Sequence, residues 1–190
     1  MTKPRALIAE DETVIRLDVR ALLEAGGFEV CGEARDGIEA VELARTLQPD
    51  VAILDIKMPR LDGLEAAKQM LAERPLPIVM LTAFGHDELV ARATEAGVFG
   101  YLVKPFREQD LLSAIRTAQA RHAELAELRL EAHSLREALE ARKTIERAKG
   151  ILMAKEGLTE DEAFARLRRA SQRSGRPMKV IADAVTATLS

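Results

Sequence analysis

The sequence has little of several features that mark whole classes of protein. Among its 190 residues there is one cysteine, Cys31. A single cysteine excludes an intramolecular disulfide and disfavours a cysteine-based zinc site. The N-terminal stretch MTKPRALIAEDE lacks the apolar core of a signal peptide, and the longest nearly apolar run, PLPIVMLTAFG, contains two prolines and is too short to span a bilayer. We therefore expect a cytoplasmic protein.

The whole chain has only a small excess of negative charge, but acidic and basic residues are unevenly distributed along it. The net charge is −3, with 47% apolar and 31% charged residues, as in ordinary globular proteins. Residues 1–110 carry 13 basic and 20 acidic side chains, whereas residues 141–190 carry 11 basic and 6 acidic ones. An acidic front and a basic tail predict two modules with different partners.

The first 110 residues alternate short apolar runs with segments of helical period. Five runs are typical of strands: RALIAE, FEVCGE, DVAILD, LPIVML and VFGYLV. Four intervening segments have helical spacing: ETVIRLDVRALLEAG, GIEAVELARTL, GLEAAKQMLAER and HDELVARATEAG. Strands that alternate with helices of this length predict an α/β fold, a doubly wound parallel sheet with helices on both faces.

Polar residues follow four of the predicted strands. The first strand ends in Glu10 and Asp11, the third in Asp55 and the fourth in Thr82, while Lys104 follows the fifth. Ligands of such sheets bind beyond the carboxyl ends of the strands, so we expect these side chains to converge. Paired carboxylates repel each other unless a cation lies between them, and an all-oxygen cluster suits Mg²⁺. Such a site could bind a phosphoryl group, with one carboxylate as the nucleophile.

The blocks AEDE, LDIKMPRLDG, LTAF and YLVKPF resemble, in order and spacing, those of a two-component response-regulator receiver domain over about residues 4–120. The resemblance implies a flavodoxin-like five-stranded fold with a cis Lys104–Pro105 bond and phosphorylation of Asp55 by a sensor histidine kinase. It implies a Mg²⁺ site whose expected ligands are Glu10, Asp11, Asp55 and the Lys57 carbonyl. The family often has Asp where this chain has Glu10. The expected phosphoryl-binding and switch residues are Thr82, Lys104 and Tyr101, the aromatic side chain that turns inward.

A long segment without proline or glycine, from about residue 108 to 141, follows the predicted sheet. It predicts a helix that continues as a connector. Apolar residues recur at the spacing of a coiled-coil seam over about two heptads, at Leu125, Leu128, Ala132, Leu135 and Leu139. Two interpretations remain open: a coiled coil that forms a homodimer, or a solitary amphipathic helix packed on its own domain.

The last fifty residues predict three helices with a small apolar core. Gly157 is placed to end the first helix, and Thr159 with Glu162 forms a capping box for the second. Arginines on the second helix face away from its apolar stripe and predict a basic surface. Phe164 is the only aromatic residue of the tail, and we expect it to be buried, which argues against recognition by base stacking.

The strings IERAKGILMAKEGLTEDEAFARLRRAS and MKVIADAV resemble an ANTAR domain over about residues 128–188. The resemblance implies binding to paired hairpins of a leader RNA, which prevents a terminator hairpin from forming. The residues expected to contact RNA are Arg147, Lys149, Arg166, Arg168, Arg169, Arg173 and Lys179.

Together these features predict a receiver domain at 1–120, a helical connector at 121–141 and an RNA-binding three-helix domain at 142–190. The expected function is that of a phosphorylation-controlled transcription antiterminator. We expect no enzymatic activity beyond the receiver's own phosphorylation and dephosphorylation, and a homodimer through the connector or the receiver. The alternatives are a DNA-binding response regulator and a receiver with a protein-interaction output.

Overall fold

The computed structural model describes residues 2–83, 97, 98 and 100–189. The chain divides into two compact units, Met1–Ala126 and Glu127–Ser190. The helix predicted over 86–97 falls outside the described residues except for Gly97, as does Phe84 of the LTAF block. No helix in the described part of the chain is long and apolar enough to cross a membrane.

The first unit is a five-stranded parallel sheet with helices on both faces. Its strands are β1 (Arg5–Ala9), β2 (Glu29–Ala34), β3 (Val51–Asp55), β4 (Ile78–Thr82) and β5 (Gly100–Val103). Its described helices are α1 (Thr13–Ala25), α2 (Gly37–Leu47), α3 (Gly63–Glu73) and the start of α4 (Glu108–Glu156). The strand order β2-β1-β3-β4-β5, parallel throughout, confirms the predicted fold class.

Alternate residues of the central strands feed two separate apolar layers, because successive side chains of a strand point to opposite faces. Leu7, Leu54 and Met80 pack in the layer that includes residues of α2 and α3. Ile8 and Leu81 belong to the layer that includes residues of α1 and α4. Every residue of β3 is buried, so its carboxyl end delivers a side chain to a fixed place.

Side-chain caps and one close approach set the loops beside that end of the sheet. Asp36 caps α2 by accepting hydrogen bonds from two backbone N–H groups, and Asp62 caps α3 in the same way through one such bond. A Cβ at Gly63 would lie 2.0 Å from the carbonyl oxygen of Asp55. Only glycine therefore lets α3 start directly beneath Asp55. The Lys104–Pro105 peptide bond is cis, which confirms that implication of the receiver resemblance.

The second unit contains the rest of α4 together with α5 (Glu160–Ser174) and α6 (Met178–Leu189). The segments predicted as connector and first tail helix are thus one uninterrupted helix, which ends before Gly157 (φ +68°). Both bonds of the predicted capping box between Thr159 and Glu162 are present. The core of this unit consists of Ala148, Leu152, Ala163, Leu167 and Ala182.

One expectation about an apolar side chain needs correction. Phe164 is not buried: 42% of its surface is exposed, because the core stripe of α5 runs through Ala163 and Leu167 and leaves the next residue at its margin. The argument against base stacking therefore loses its basis. The connector leucines Leu128, Leu135 and Leu139 are exposed.

Candidate functional site

The carboxyl edge of the sheet brings together the polar residues predicted from the strand ends. A cavity of about 190 Å³ is lined by Asp11, Glu12, Asp55, Ile56, Lys57, Thr82, Ala83 and Lys104. Glu10, Asp55 and Thr82 are buried at the ends of their strands, whereas Asp11 is exposed. Four strands thus contribute to one polar recess, as expected for a parallel sheet of this winding.

Lys104 joins the two buried carboxylates of the site. Its Nζ lies 2.6 Å from Oε2 of Glu10 and 2.7 Å from Oδ1 of Asp55. Its backbone N–H donates to the carbonyl oxygen of Thr82 at 2.8 Å, which fixes the start of the loop after β5. Burial alone would lower the pKa of Lys104, but hydrogen bonds and charge interactions with Asp55 and Glu10 raise it above its ordinary value. The lysine is therefore a permanent cation at neutral pH.

The two carboxylates are also oriented by backbone N–H groups. Oε1 of Glu10 accepts a hydrogen bond from the N–H of Glu12 at 3.2 Å, and Oδ2 of Asp55 accepts one from the N–H of Lys57 at 2.8 Å. Burial raises the pKa of the Glu10 carboxyl, and the neighbouring Asp55 charge adds to this, while Lys104 opposes it. Two ionised carboxylates this close together repel each other, and a cation bound between them would relieve that repulsion.

The donor atoms at this edge fit Mg²⁺. Carboxylate oxygens of Glu10, Asp11 and Asp55 lie within 4.8 Å of one another. All three are hard oxygen donors, and one of them, Asp11, faces solvent, so water can complete the coordination that Mg²⁺ prefers. Thr82 and Lys104 line the same cavity. Tyr101 is half-buried and packs against the apolar layer on the α2 and α3 face.

Sequence reasoning missed one charged residue behind the site. Arg16 is buried in α1, and its Nη1 donates to the carbonyl oxygen of Glu10 at 2.6 Å. The same side chain forms an ion pair with Glu33 at 3.4 Å. It shares the helical spacing of the buried residues Val19 and Leu23, and this spacing was the signal that could have identified it.

The basic residues predicted to bind RNA fall into two groups in the second unit. Six are exposed: Arg147, Arg166, Arg168, Arg169, Arg173 and Lys179. Arg166 is paired with Glu156. Lys149 differs from all of these because it is only 7% exposed and contacts two glutamates, Glu160 at 2.7 Å and Glu146 at 2.9 Å.

Comparison with known proteins assigns a family to each unit. The response regulator receiver domain matches residues 6–116, and the ANTAR domain matches residues 133–185. The transcriptional regulatory protein PdtaR of Mycobacterium tuberculosis is 49% identical over 185 residues, which cover 97% of this chain and 90% of that protein.

Solved structures match the first unit. The receiver domain of a modulated diguanylate cyclase from Desulfovibrio desulfuricans is 36% identical with a TM-score of 0.59, covering 64% of this chain and 98% of that one. CheY of Borrelia burgdorferi, solved as a CheX–CheY–BeF₃–Mg²⁺ complex, is 25% identical with a TM-score of 0.57, covering 59% of this chain and 86% of that one. The convergence of the acidic cluster with Lys104, the receiver fold, and these matches together show that the chain belongs to the response regulators that combine a receiver domain with a C-terminal ANTAR domain.

Proposed function

We propose that this protein is a cytoplasmic transcription antiterminator whose binding to a hairpin-containing leader RNA is controlled by phosphorylation of Asp55 by a sensor histidine kinase. The observation that carries the proposal is the contact of Lys104 with both Asp55 and Glu10, beside a cluster of three carboxylates, in a chain that also contains an ANTAR domain. A receiver implies a kinase as the phosphoryl source, and an ANTAR domain implies RNA as the output.

In the proposed reaction, an oxygen of Asp55 attacks the phosphorus of a phosphohistidine, the P–N bond breaks and an acyl phosphate forms. Mg²⁺ held by Glu10, Asp11, Asp55 and the Lys57 carbonyl would neutralise charge on the phosphoryl oxygens. Lys104 lies 2.7 Å from Asp55, so its ammonium group can bind the oxygens of the phosphoryl group. Thr82 lines the same cavity and can donate a hydrogen bond to these oxygens. The protein turns over no other substrate in this proposal. The CheY relative solved with BeF₃ and Mg²⁺ supports this use of the site.

The kinase needs a surface next to the site, and α1 offers one. Val14 and Leu17 are 72% and 55% exposed although they are large and apolar. A neighbouring cavity of about 290 Å³ is lined by Ile15, Leu22, Pro105, Phe106 and other residues, and it shares Lys104 with the phosphorylation site. Exposed apolar side chains beside a reactive centre are typical of a docking surface. We assign this face of α1 to the kinase.

The link from the receiver to the output lies in the chain itself. Helix α4 begins four residues after Lys104, contributes Leu111 and Ile115 to the receiver core, and contributes Ala148 and Leu152 to the ANTAR core. Movement of Lys104, Thr82 and Tyr101 towards the phosphoryl group would therefore act on the start of a helix shared by both units. A shift from 1% to 99% active protein requires about 5.5 kcal/mol of preference for the active state.

The output surface is basic and is carried by α5 together with neighbouring helices. Arg147, Arg168, Arg169, Arg173 and Lys179 are exposed and supply charge for the phosphates of a paired RNA. The exposed stripe of Leu128, Leu135 and Leu139 has the spacing of a coiled-coil seam, so we also propose a homodimer through α4 that presents two such surfaces.

The decisive experiment measures binding of the full-length protein to a two-hairpin leader RNA and to duplex DNA over a series of salt concentrations. Each series is run with and without a small-molecule phosphodonor and Mg²⁺, for the natural protein and for Asp55→Asn. We expect selective RNA binding that strengthens on phosphorylation only when Asp55 is present. Preference for duplex DNA would favour the DNA-binding alternative. Absence of binding to either nucleic acid at every salt concentration would favour a protein-interaction output.

A further inference from the structure

Lys149 has an environment unlike that of the other basic residues in the ANTAR domain. Its ammonium group lies 2.7 Å from Oε1 of Glu160 and 2.9 Å and 3.0 Å from the two oxygens of Glu146. All three N–H donors of the lysine are therefore engaged by carboxylate oxygens. Hydrogen bonds to Glu160 and Glu146 raise the pKa of Lys149, and the lysine lowers the pKa of Glu160.

The charge of this cluster is unsuited to binding a phosphate. One ammonium group with two carboxylates leaves a net charge of −1, and the two glutamates are exposed while the lysine is buried. An approaching phosphate would meet the carboxylates before the ammonium group. The cluster repels the backbone of RNA, whereas the exposed arginines of α5 attract it.

The position of the cluster shows what it holds in place. Glu146 and Lys149 lie on α4, and Glu160 is the first residue of α5. The capping box of Thr159 and Glu162 stabilises the start of α5 from within, and the Lys149 cluster ties the same turn to α4. The direction in which α5 leaves this corner determines where its arginines lie relative to Arg147 of α4.

We propose that Lys149 is a positioning residue rather than an RNA contact: together with Glu146 and Glu160 it locks the first turn of α5 onto α4 and thereby aligns the arginines of both helices for RNA. This role rests on the proposed RNA-binding function. It revises the sequence-based expectation that Lys149 itself contacts RNA.

The two roles predict opposite results for Glu160→Gln. If Lys149 contacted phosphate, removing a competing carboxylate would free its charge and tighten RNA binding. If Lys149 positions α5, the same change weakens the lock, and we expect affinity for a two-hairpin RNA to fall by about twofold to fivefold, the range for a partly exposed ion pair. Asp161→Asn is the matched control, because it removes an exposed carboxylate from the same turn without touching the lock and should leave binding unchanged or slightly tighter.

Lys149→Met supplies a second test through the salt dependence of binding. Loss of a direct phosphate contact lowers the slope of log affinity against log salt by about 0.7–0.9 in Lys149→Met but not in Glu160→Gln, whereas loss of the lock changes the slope alike in both variants, because both disturb the same arginines. Amide hydrogen exchange in the free full-length protein reports the lock without RNA. Exchange in the first turns of α5 should accelerate in Glu160→Gln and Lys149→Met but not in Asp161→Asn.

The outcomes separate this inference from the function on which it rests. Tighter binding by Glu160→Gln, a salt slope reduced in Lys149→Met but not in Glu160→Gln, or unchanged exchange in both variants would overturn the positioning role while leaving RNA binding intact. Failure of the unaltered protein to bind RNA would overturn the proposed function and with it this role, and exchange would still show whether the lock exists.

Discussion

The apolar face of α1 provides a quantitative test of the proposed kinase partner. Val14 is 72% exposed and Leu17 is 55% exposed, so a docking kinase can remove most of the first and about half of the second side chain from water. Full burial of a side chain of this kind contributes about 1.5–3 kcal/mol. We scale this free energy by the exposed fraction of each side chain and allow for the Cβ atom that alanine retains. The double variant Val14→Ala/Leu17→Ala should then lose about 2 kcal/mol of the free energy with which the kinase binds in the transition state of phosphotransfer.

That loss corresponds to a decrease of about 30-fold in kcat/KM for phosphotransfer from the phosphorylated kinase. The same variant should accept phosphate from a small-molecule donor at an unaltered rate, because neither side chain lines the cavity at Asp55. It should also fold normally, since substitutions of exposed side chains usually change stability by less than about 0.5 kcal/mol. The assay compares the two donors on the same preparation.

Val180→Ala is the matched control, because Val180 is also exposed and apolar but lies in the ANTAR domain. It should not change the rate with either donor. An equal loss with kinase and small donor would show that α1 supports the site rather than the kinase. An unaltered rate with the kinase would refute docking on this face.

Three further perturbations test the metal site, the close approach of α3 to Asp55 and the core of the ANTAR domain. Mg²⁺ at 100 times its Kd should stabilise the receiver by about 2.7 kcal/mol in thermal unfolding, and Asp11→Asn should largely abolish that effect. Gly63→Ala should slow phosphorylation and destabilise the receiver, because its Cβ would approach the Asp55 carbonyl oxygen to 2.0 Å; unaltered phosphorylation would contradict this. Leu167→Ala should cost the ANTAR domain about 2–5 kcal/mol in denaturant unfolding, whereas Phe164→Ala, outside the core, should cost less than about 1 kcal/mol; equal costs would contradict the assigned core.

The parallel sheet and its polar edge were predictable from two features of the sequence. These are the alternation of apolar runs with helical segments, and the polar residues that follow the runs directly. β3 is apolar at every residue before Asp55, and such a run can be accommodated only in a strand covered on both faces. The winding then places the ends of β1, β3 and β4 on one edge without further information. The contacts of Lys104 with two carboxylates could not be predicted, since they depend on the rotamer of a long side chain.

The errors concern residues at the margin of a helical stripe. Phe164 and Ala163 are neighbours in sequence, and a rotation of 100° between them separates a buried position from a half-exposed one. Lys149 was predicted to contact RNA because it is a basic residue of the tail, and the sequence alone did not indicate its contacts with two glutamates, on which we base the proposed positioning role. Arg16 was missed because an arginine is not expected at a buried position of a helix. Its burial is explained only by the hydrogen bond that it donates to the Glu10 carbonyl oxygen. Each case depends on contacts with neighbouring elements, which the pattern of a single helix does not show.

The charge count at the receiver site supports the proposed roles of a divalent cation and of Lys104. Glu10, Asp11 and Asp55 carry three negative charges, and Lys104 returns one, so the resting cluster has a net charge of −2. A single divalent cation balances that value. In the proposed reaction, phosphorylation of Asp55 then adds further negative charge, roughly −1.5 to −2 in ordinary phosphoesters, against the one charge that Asp55 gives up. Lys104 contacts both Glu10 and Asp55 in the structure, and we expect it to move towards the phosphoryl oxygens as negative charge accumulates there. Because the backbone N–H of Lys104 is bonded to the Thr82 carbonyl and α4 starts four residues later, we expect that movement to act first on the loop from which the long helix begins.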